Sequence, residues 1–109
     1  MDILTQLASS TEPVQIQVRA TVNGAAYDPS GDLVSIAFIA EGGTEPDPVT
    51  GPWHAATWEV DPGPTYWASL LVGPLNGGVA LTAGTYICYV KVTDNPAVPV
   101  KPGAYLTIV

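Results

Sequence analysis

Few side chains in this 109-residue chain are of a kind that can do covalent or proton-transfer chemistry, and their spacing does not assemble them. There is one cysteine, Cys88, and one histidine, His54. A lone cysteine forms no internal disulfide, and one Cys with one His is too few for a zinc cluster. A reactive thiol needs cationic neighbours, so Cys88 reads instead as a small buried hydrophobe. His54, between Trp53 and Ala55, has no Ser or Cys nucleophile in a recognisable setting and reads as a surface or interface residue. An acid–base pair needs two titratable groups held in one cleft with their pKa values pushed apart. The ten carboxylates fall mostly in or beside Gly/Pro turns (Asp28, Asp32, Asp47, Asp61, Asp94), where they form turns or sit in solvent. Glu41, Glu45 and Asp47 share one loop but lack the ligand spacing of a calcium loop. Gly42-Gly43 and Gly77-Gly78 precede no helical pattern, which removes a phosphate cradle. The expectation is a non-enzymatic protein with no cofactor and no metal.

Charge narrows the partners. Arg19, Lys91 and Lys101 face ten acids, for a formal net charge of −7. Nucleic-acid binding needs clustered cations that release counterions from phosphates, and three scattered ones cannot supply it. A field of this sign also repels anionic lipid. The start, Met1 to Pro13, lacks the basic and apolar regions of a signal peptide, and no segment approaches eighteen consecutive apolar residues. These features lead to the expectation of synthesis and folding in a reducing cytoplasm, with no membrane and no nucleic acid as partner.

The apolar pattern is that of strands. From Val14 to Val22 every even position is apolar and every odd one polar, the mark of a half-buried strand with one wet face. Asn23-Gly24 and Asp28-Pro29-Ser30-Gly31-Asp32 read as the turns after it. Leu33 to Ala40 is almost continuously apolar, so both its faces must be covered or it must lie mid-sheet, with Val34, Ile36 and Phe38 inward. Trp53–Val60, Thr65–Val72, Gly84–Thr93 and Ala104–Val109 read as further strands, with Leu106 and Ile108 inward on the last. Glu41 to Pro52 reads as a loop, and Pro96, Pro99 and Pro102 bar Asp94–Pro102 from a central strand. Residues 1–12 form an N-terminal arm: Ile3, Leu4 and Leu7 fit one apolar helical turn, either frayed or docked on a neighbour. Residues 13–109 form one domain. Short strands near ten-residue spacing predict an all-β fold, a sandwich or barrel.

One motif sharpens this. In Leu81-Thr82-Ala83-Gly84-Thr85-Tyr86-Ile87-Cys88, Gly-x-Tyr-x-Cys puts Tyr86 and Cys88 on one strand face behind a small-residue turn. The Tyr86 ring can close the end of the sandwich while its hydroxyl reaches back to the backbone. This resembles the tyrosine corner of immunoglobulin-like domains, although the partner cysteine of those domains is missing. The resemblance implies an immunoglobulin-like antiparallel β-sandwich of about seven strands, with Gly84, Tyr86 and Cys88 as its structural corner and Trp58 opposite Cys88.

From about Val14 onward the chain also resembles a family of small immunoglobulin-like virion structural proteins of tailed phages and prophages of actinobacterial, high-GC hosts. The likeness is carried by Tyr27-Asp28-Pro29-Ser30-Gly31-Asp32 before Val34-Ser35-Ile36-Ala37-Phe38, then by Trp53-His54-Ala55-Ala56-Thr57-Trp58 and Leu71-Val72-Gly73-Pro74. Gly84-Thr85-Tyr86 and Val92-Thr93-Asp94-Asn95-Pro96 complete it. It implies a structural role in the virion, as head decoration, head–tail connector or tail-associated subunit. The partners would be other virion proteins present in many copies, such as capsid, connector or tail subunits. Candidate interface residues are Trp53, Trp67, Tyr89, Ile3, Leu4 and Leu7. The alternative is a carbohydrate- or host-surface-binding module, motivated by three Trp and five Tyr in a β domain. On a flat face beside apolar neighbours such aromatics serve as subunit contacts; lining a shallow groove they stack on sugar rings.

Overall fold

A computed structural model describes residues 2–19, 21–22, 25–26, 28–61, 65–93 and 98–109. Within them ten strands run in chain order: β1 (Asp2–Gln6), β2 (Glu12–Val18), β3 (Thr21–Val22), β4 (Ala25–Ala26), β5 (Leu33–Ala40), β6 (His54–Ala55), β7 (Thr57–Asp61), β8 (Thr65–Val72), β9 (Gly84–Thr93) and β10 (Val100–Ile108). Five build one sheet in the order β1-β10-β9-β5-β6 and three a second, β2-β8-β7, while β3 and β4 form a separate short hairpin. The two larger sheets pack their apolar faces together in one core, so the chain is an all-β sandwich, with eight strands in the two sheets. The Asn23-Gly24 turn, Tyr27, the Pro62-Gly63-Pro64 segment after Asp61 and the Asp94-Asn95-Pro96 part of the proline-rich stretch lie outside the described residues.

Alternation decides which side chains go in. On β2, Val14 and Ile16 are buried while Gln15 and Gln17 are exposed. Val34 and Ile36 of β5, Cys88, Val90 and Val92 of β9, and Leu106 and Ile108 of β10 meet them, with Ala68 and Val72 from β8. Each large side chain taken fully out of water here, Ile36 and Leu106 among them, contributes roughly 1.5–3 kcal/mol before entropy is counted. Phe38 packs against this core from a half-buried position. Ala37, on the opposite face of β5, is also fully buried, whereas Leu33 on that face is exposed, so the outer side of this strand is covered only in part.

Three elements differ from the sequence expectation. Residues expected as an arm outside the sandwich instead open it: β1 pairs in parallel with β10, from Asp2 against Ala104 to Gln6 against Ile108. Its period is two and not helical, with Leu4 packed on the core and Ile3 exposed on the other face. The expected single strand over Trp53–Val60 is two strands in different sheets. At Ala56 the chain crosses from β6 to β7, and the Ala56 amide donates to the Val34 carbonyl at 3.0 Å. Finally, β10 begins at Val100 and includes Pro102. Proline is tolerated there because β1 reaches only as far as Ala104, so β10 is itself an edge at Pro102. The register shifts between Pro102 and Ala104, and an added Cβ on the intervening Gly103 would stand 2.5 Å from Ile16 Cγ2. Only glycine lets the backbone come that close to the core.

With no disulfide, side chains tie the two sheets at opposite ends. Gln6 is buried on β1, and its Nε2 donates to the Val72 carbonyl on β8 at 2.8 Å and to the Ser10 carbonyl at 3.1 Å. Toward the other end, the Trp58 indole N–H of β7 donates to the Asp32 carbonyl just before β5, at 2.8 Å. Replacing Gln6 with Leu strands the Val72 carbonyl in a dry site, a loss of about 1–3 kcal/mol. Urea unfolding of Gln6→Leu beside the parent is expected to show a lower midpoint with an unchanged slope.

Candidate functional site

The tyrosine corner brings together the phenol of Tyr86 and the thiol of Cys88. Tyr86 lies on β9 at the rim of the core, and its hydroxyl donates to the Thr82 carbonyl at 2.8 Å, with Thr82 Oγ1 3.1 Å away. The bond spans four residues and closes the connection from β8 into β9. Gly84, at the first position of β9, has φ +149°, a conformation an L side chain rarely adopts. Cys88, two residues after Tyr86, is fully buried, and burial pushes its thiol up to about 12. A thiol held protonated in an apolar interior is neither nucleophile nor metal ligand. The corner therefore builds the fold and offers no chemistry.

Two of the turn carboxylates are also spent on structure. The Asp28 carboxylate accepts from the Ser30 amide at 2.9 Å and the Ser30 hydroxyl at 2.6 Å, capping the 3₁₀ turn Pro29–Gly31. Those bonds hold its pKa below the usual Asp value, while Tyr66, beside Asp28, is desolvated and pushed up. Asp47 accepts from the amides of Thr50 and Val49, at 2.9 and 2.8 Å, and these lower its pKa in the same way. Asp47 thus folds the β5–β6 loop around its own carboxylate. His54 is half-buried with its ring 6.1 Å from that of Phe38. Among the described residues no three His, Cys, Asp or Glu converge on a metal position.

What remains is surface, and the sandwich has two outer faces of different character. On the five-stranded sheet the outward positions near the free edge are Ile3 of β1, Tyr105 of β10, and Ile87 and Tyr89 of β9. Ile3 pairs with Tyr105, Tyr105 with Ile87, and Tyr89 with Ala37. Ile3 is 75% exposed, and Ile87, Tyr89 and Tyr105 are half-buried. Among the described residues of β1, β5, β9 and β10, no outward position carries Asp or Glu, and Lys91 is the one cation. The β5–β6 loop reaches the β5 half of this face: Lys91 Nζ donates to the Pro48 carbonyl at 3.0 Å and lies 4.8 Å over the Trp53 ring. The Trp53 indole N–H is in turn bound to the Asp47 carbonyl at 2.8 Å.

The six residues expected at an interface thus divide. Ile3 and Tyr89 share the outer face of the five-stranded sheet, and Trp53 borders it, half-buried. Leu4 turns the other way and packs on the core, and Leu7 is exposed just beyond β1. Trp67 is on the opposite side of the molecule. It lies on the outer face of the three-stranded sheet, between Gln17 and Glu59. Tyr105 and Ile87 join the apolar face without having been singled out by residue type. The alternation that sends Leu106, Cys88 and Tyr86 inward also sends these two outward, and that signal is present in the sequence.

Two measurements test the corner. Tyr86→Phe removes the bond to Thr82 and is expected to cost about 1 kcal/mol. Tyr86→Ala adds a cavity and is expected to cost about 3 kcal/mol or more. Denaturant titration of both variants checks this, and a Phe variant as stable as the parent contradicts the role given to the hydroxyl. For Cys88, burial leaves roughly a thousandfold less thiolate at pH 8 than an ordinary cysteine has. Ellman's reagent is expected to modify the native protein only at the rate at which it unfolds, and fully in denaturant.

The chain matches no protein-family model, no curated protein and no solved structure.

Proposed function

We propose that this protein is a non-enzymatic structural subunit of a bacteriophage virion that docks on other virion proteins through the outer face of its five-stranded sheet. The observation that carries the reading is an apolar face, Ile3, Tyr105, Ile87 and Tyr89, with no carboxylate among its described outward positions, on a chain of net charge −7. Exposed apolar surface on a folded domain loses free energy to water until a partner covers it. Self-repulsion keeps free copies of so acidic a chain apart, and this face is where another protein approaches without opposing like charges. Aromatic residues on rigid strands bind at low entropic cost, which suits a subunit repeated around a particle. The sequence likeness to actinobacterial phage structural proteins supports the virion as the setting, at the head, the connector or the tail.

The test begins with mass spectrometry of purified particles of the phage or prophage that encodes the chain, where stoichiometric copies are expected. Particles lacking the protein contradict the proposal. Ile3→Asp places a carboxylate on the edge strand of the face, beside Tyr105, where the native side chain is already exposed and the fold keeps its core. Its incorporation is expected to fall at least about tenfold, the equivalent of roughly 1.4 kcal/mol of lost docking energy, with an unchanged melting temperature. Full incorporation of a folded Ile3→Asp protein would show that docking uses another surface.

A further inference from the structure

The geometry of the other outer face points to a second binding site: we infer that the outer side of the three-stranded sheet is a platform for a neutral saccharide, centred on Trp67. The inference does not depend on the docking reading, because it concerns the opposite sheet. Trp67 sits in the middle strand, β8, and its register partners are Gln17 on β2 and Glu59 on β7. Residues directly opposite on one face of an antiparallel pair have Cβ atoms about 5 Å apart. The indole therefore has a planar amide on one side and a planar carboxylate on the other.

One row along the strands, Ser69 lies between Gln15 and Thr57. Gln15 reaches over it, and its Nε2 donates to Glu59 Oε2 across the middle strand. Ser69 is buried beneath that contact. Gln15, Gln17, Thr57 and Glu59 are all exposed, and Trp67 is half-buried among them. The result is one aromatic ring held by strand packing in a field of groups that both donate and accept hydrogen bonds.

This chemistry matches a sugar ring better than a protein surface. A pyranose presents an apolar C–H face, which an aromatic face covers, and a rim of hydroxyls that need both donors and acceptors. Gln17 supplies both functions, and the oxygens of Gln15 and Glu59 left over from their mutual bond supply acceptors. A protein partner would have to desolvate Glu59 and two amides around a single ring, whereas the cores of protein interfaces are depleted in charge. Three strands at about 4.8 Å spacing make a surface roughly 10 Å wide, enough for one or two sugar units across and open at both edges for a longer chain. Glu59 and the net charge of −7 select against anionic glycans.

The test is isothermal titration of the full chain with neutral β-linked hexasaccharides of glucose, N-acetylglucosamine and galactose, and with a polygalacturonate oligomer as the anionic probe. At least one neutral hexasaccharide is expected to bind with a dissociation constant of roughly 0.1–1 mM, and the anionic oligomer is expected not to bind. Trp67→Ala and Glu59→Ala are each expected to weaken that binding at least about tenfold. Because the Glu59 side chain is exposed, Glu59→Ala keeps the fold and decides the question if Trp67→Ala does not fold. Absence of binding by all three neutral saccharides at about 10 mM overturns the inference, as does binding that folded Glu59→Ala retains in full.

Discussion

Strand β9 is hydrogen-bonded on both sides, to β5 and to β10, and its two-residue alternation sorts the molecule into an inside and an outside. Tyr86, Cys88, Val90 and Val92 turn toward the three-stranded sheet, and Ile87, Tyr89 and Lys91 turn away. Because neighbouring strands keep register with β9, the same division passes to Leu106 and Tyr105 on β10 and to Ile36 and Ala37 on β5. It reaches Leu4 and Ile3 on β1 as well. A slip of one residue would bring Lys91 into the core and put Cys88 in solvent, so the register is strongly held. The corner reinforces it where β9 begins, since the Tyr86–Thr82 bond and the conformation of Gly84 fix where pairing starts.

Holding two sheets together without a disulfide places the burden on packing and on a few directed bonds. Gln6 and Trp58 each span the sheets from a side chain to a main-chain carbonyl, near opposite ends of the sandwich. The Val72 carbonyl would otherwise lack a partner in a region that the core makes dry, and the Asp32 carbonyl in a half-buried one, so these bonds position the sheets as much as they stabilise them. Gln6 also explains why a five-residue strand at the free edge stays paired. Its amide reaches past its own sheet to Val72 and back to Ser10, anchoring β1 at the end where it meets Ile108.

Much of this is legible from local pattern. The alternation of β2 and β9, the unbroken apolar run of β5, and Leu106 and Ile108 on β10 reflect side-chain period and burial alone. Three features are not legible, each for a physical reason. β1 is too short for a period to stand out, and parallel pairing with the far end of the chain leaves no local signal. The crossing at Ala56 occurs inside an apolar, aromatic stretch that reads as one strand, because the partner that ends β6, the Val34 carbonyl, is more than twenty residues away. Pro102 argues against a strand because sequence does not say where β1 stops. For the surfaces, residue type names Trp53, Trp67 and Tyr89 together, and only register separates them. Tyr89 belongs with Ile3 and Tyr105, whereas Trp67 belongs with Gln17 and Glu59.

That separation bears on how one small domain can serve two contacts. The outer faces of a sandwich lie back to back, divided by a core about 10 Å thick, so a partner on one leaves the other untouched. The apolar face gains most from being covered, because its outward surface is mainly aliphatic and aromatic carbon. The Trp67 face, ringed by exposed polar groups that solvent or one another can satisfy, loses little by staying open and suits reversible contact with a hydrated ligand. In the docking proposed, a subunit seated by its five-stranded sheet would turn Gln15, Gln17, Glu59 and Trp67 outward. Repetition of that subunit on a particle would multiply weak single contacts into firm attachment, because each further contact forms at high effective concentration.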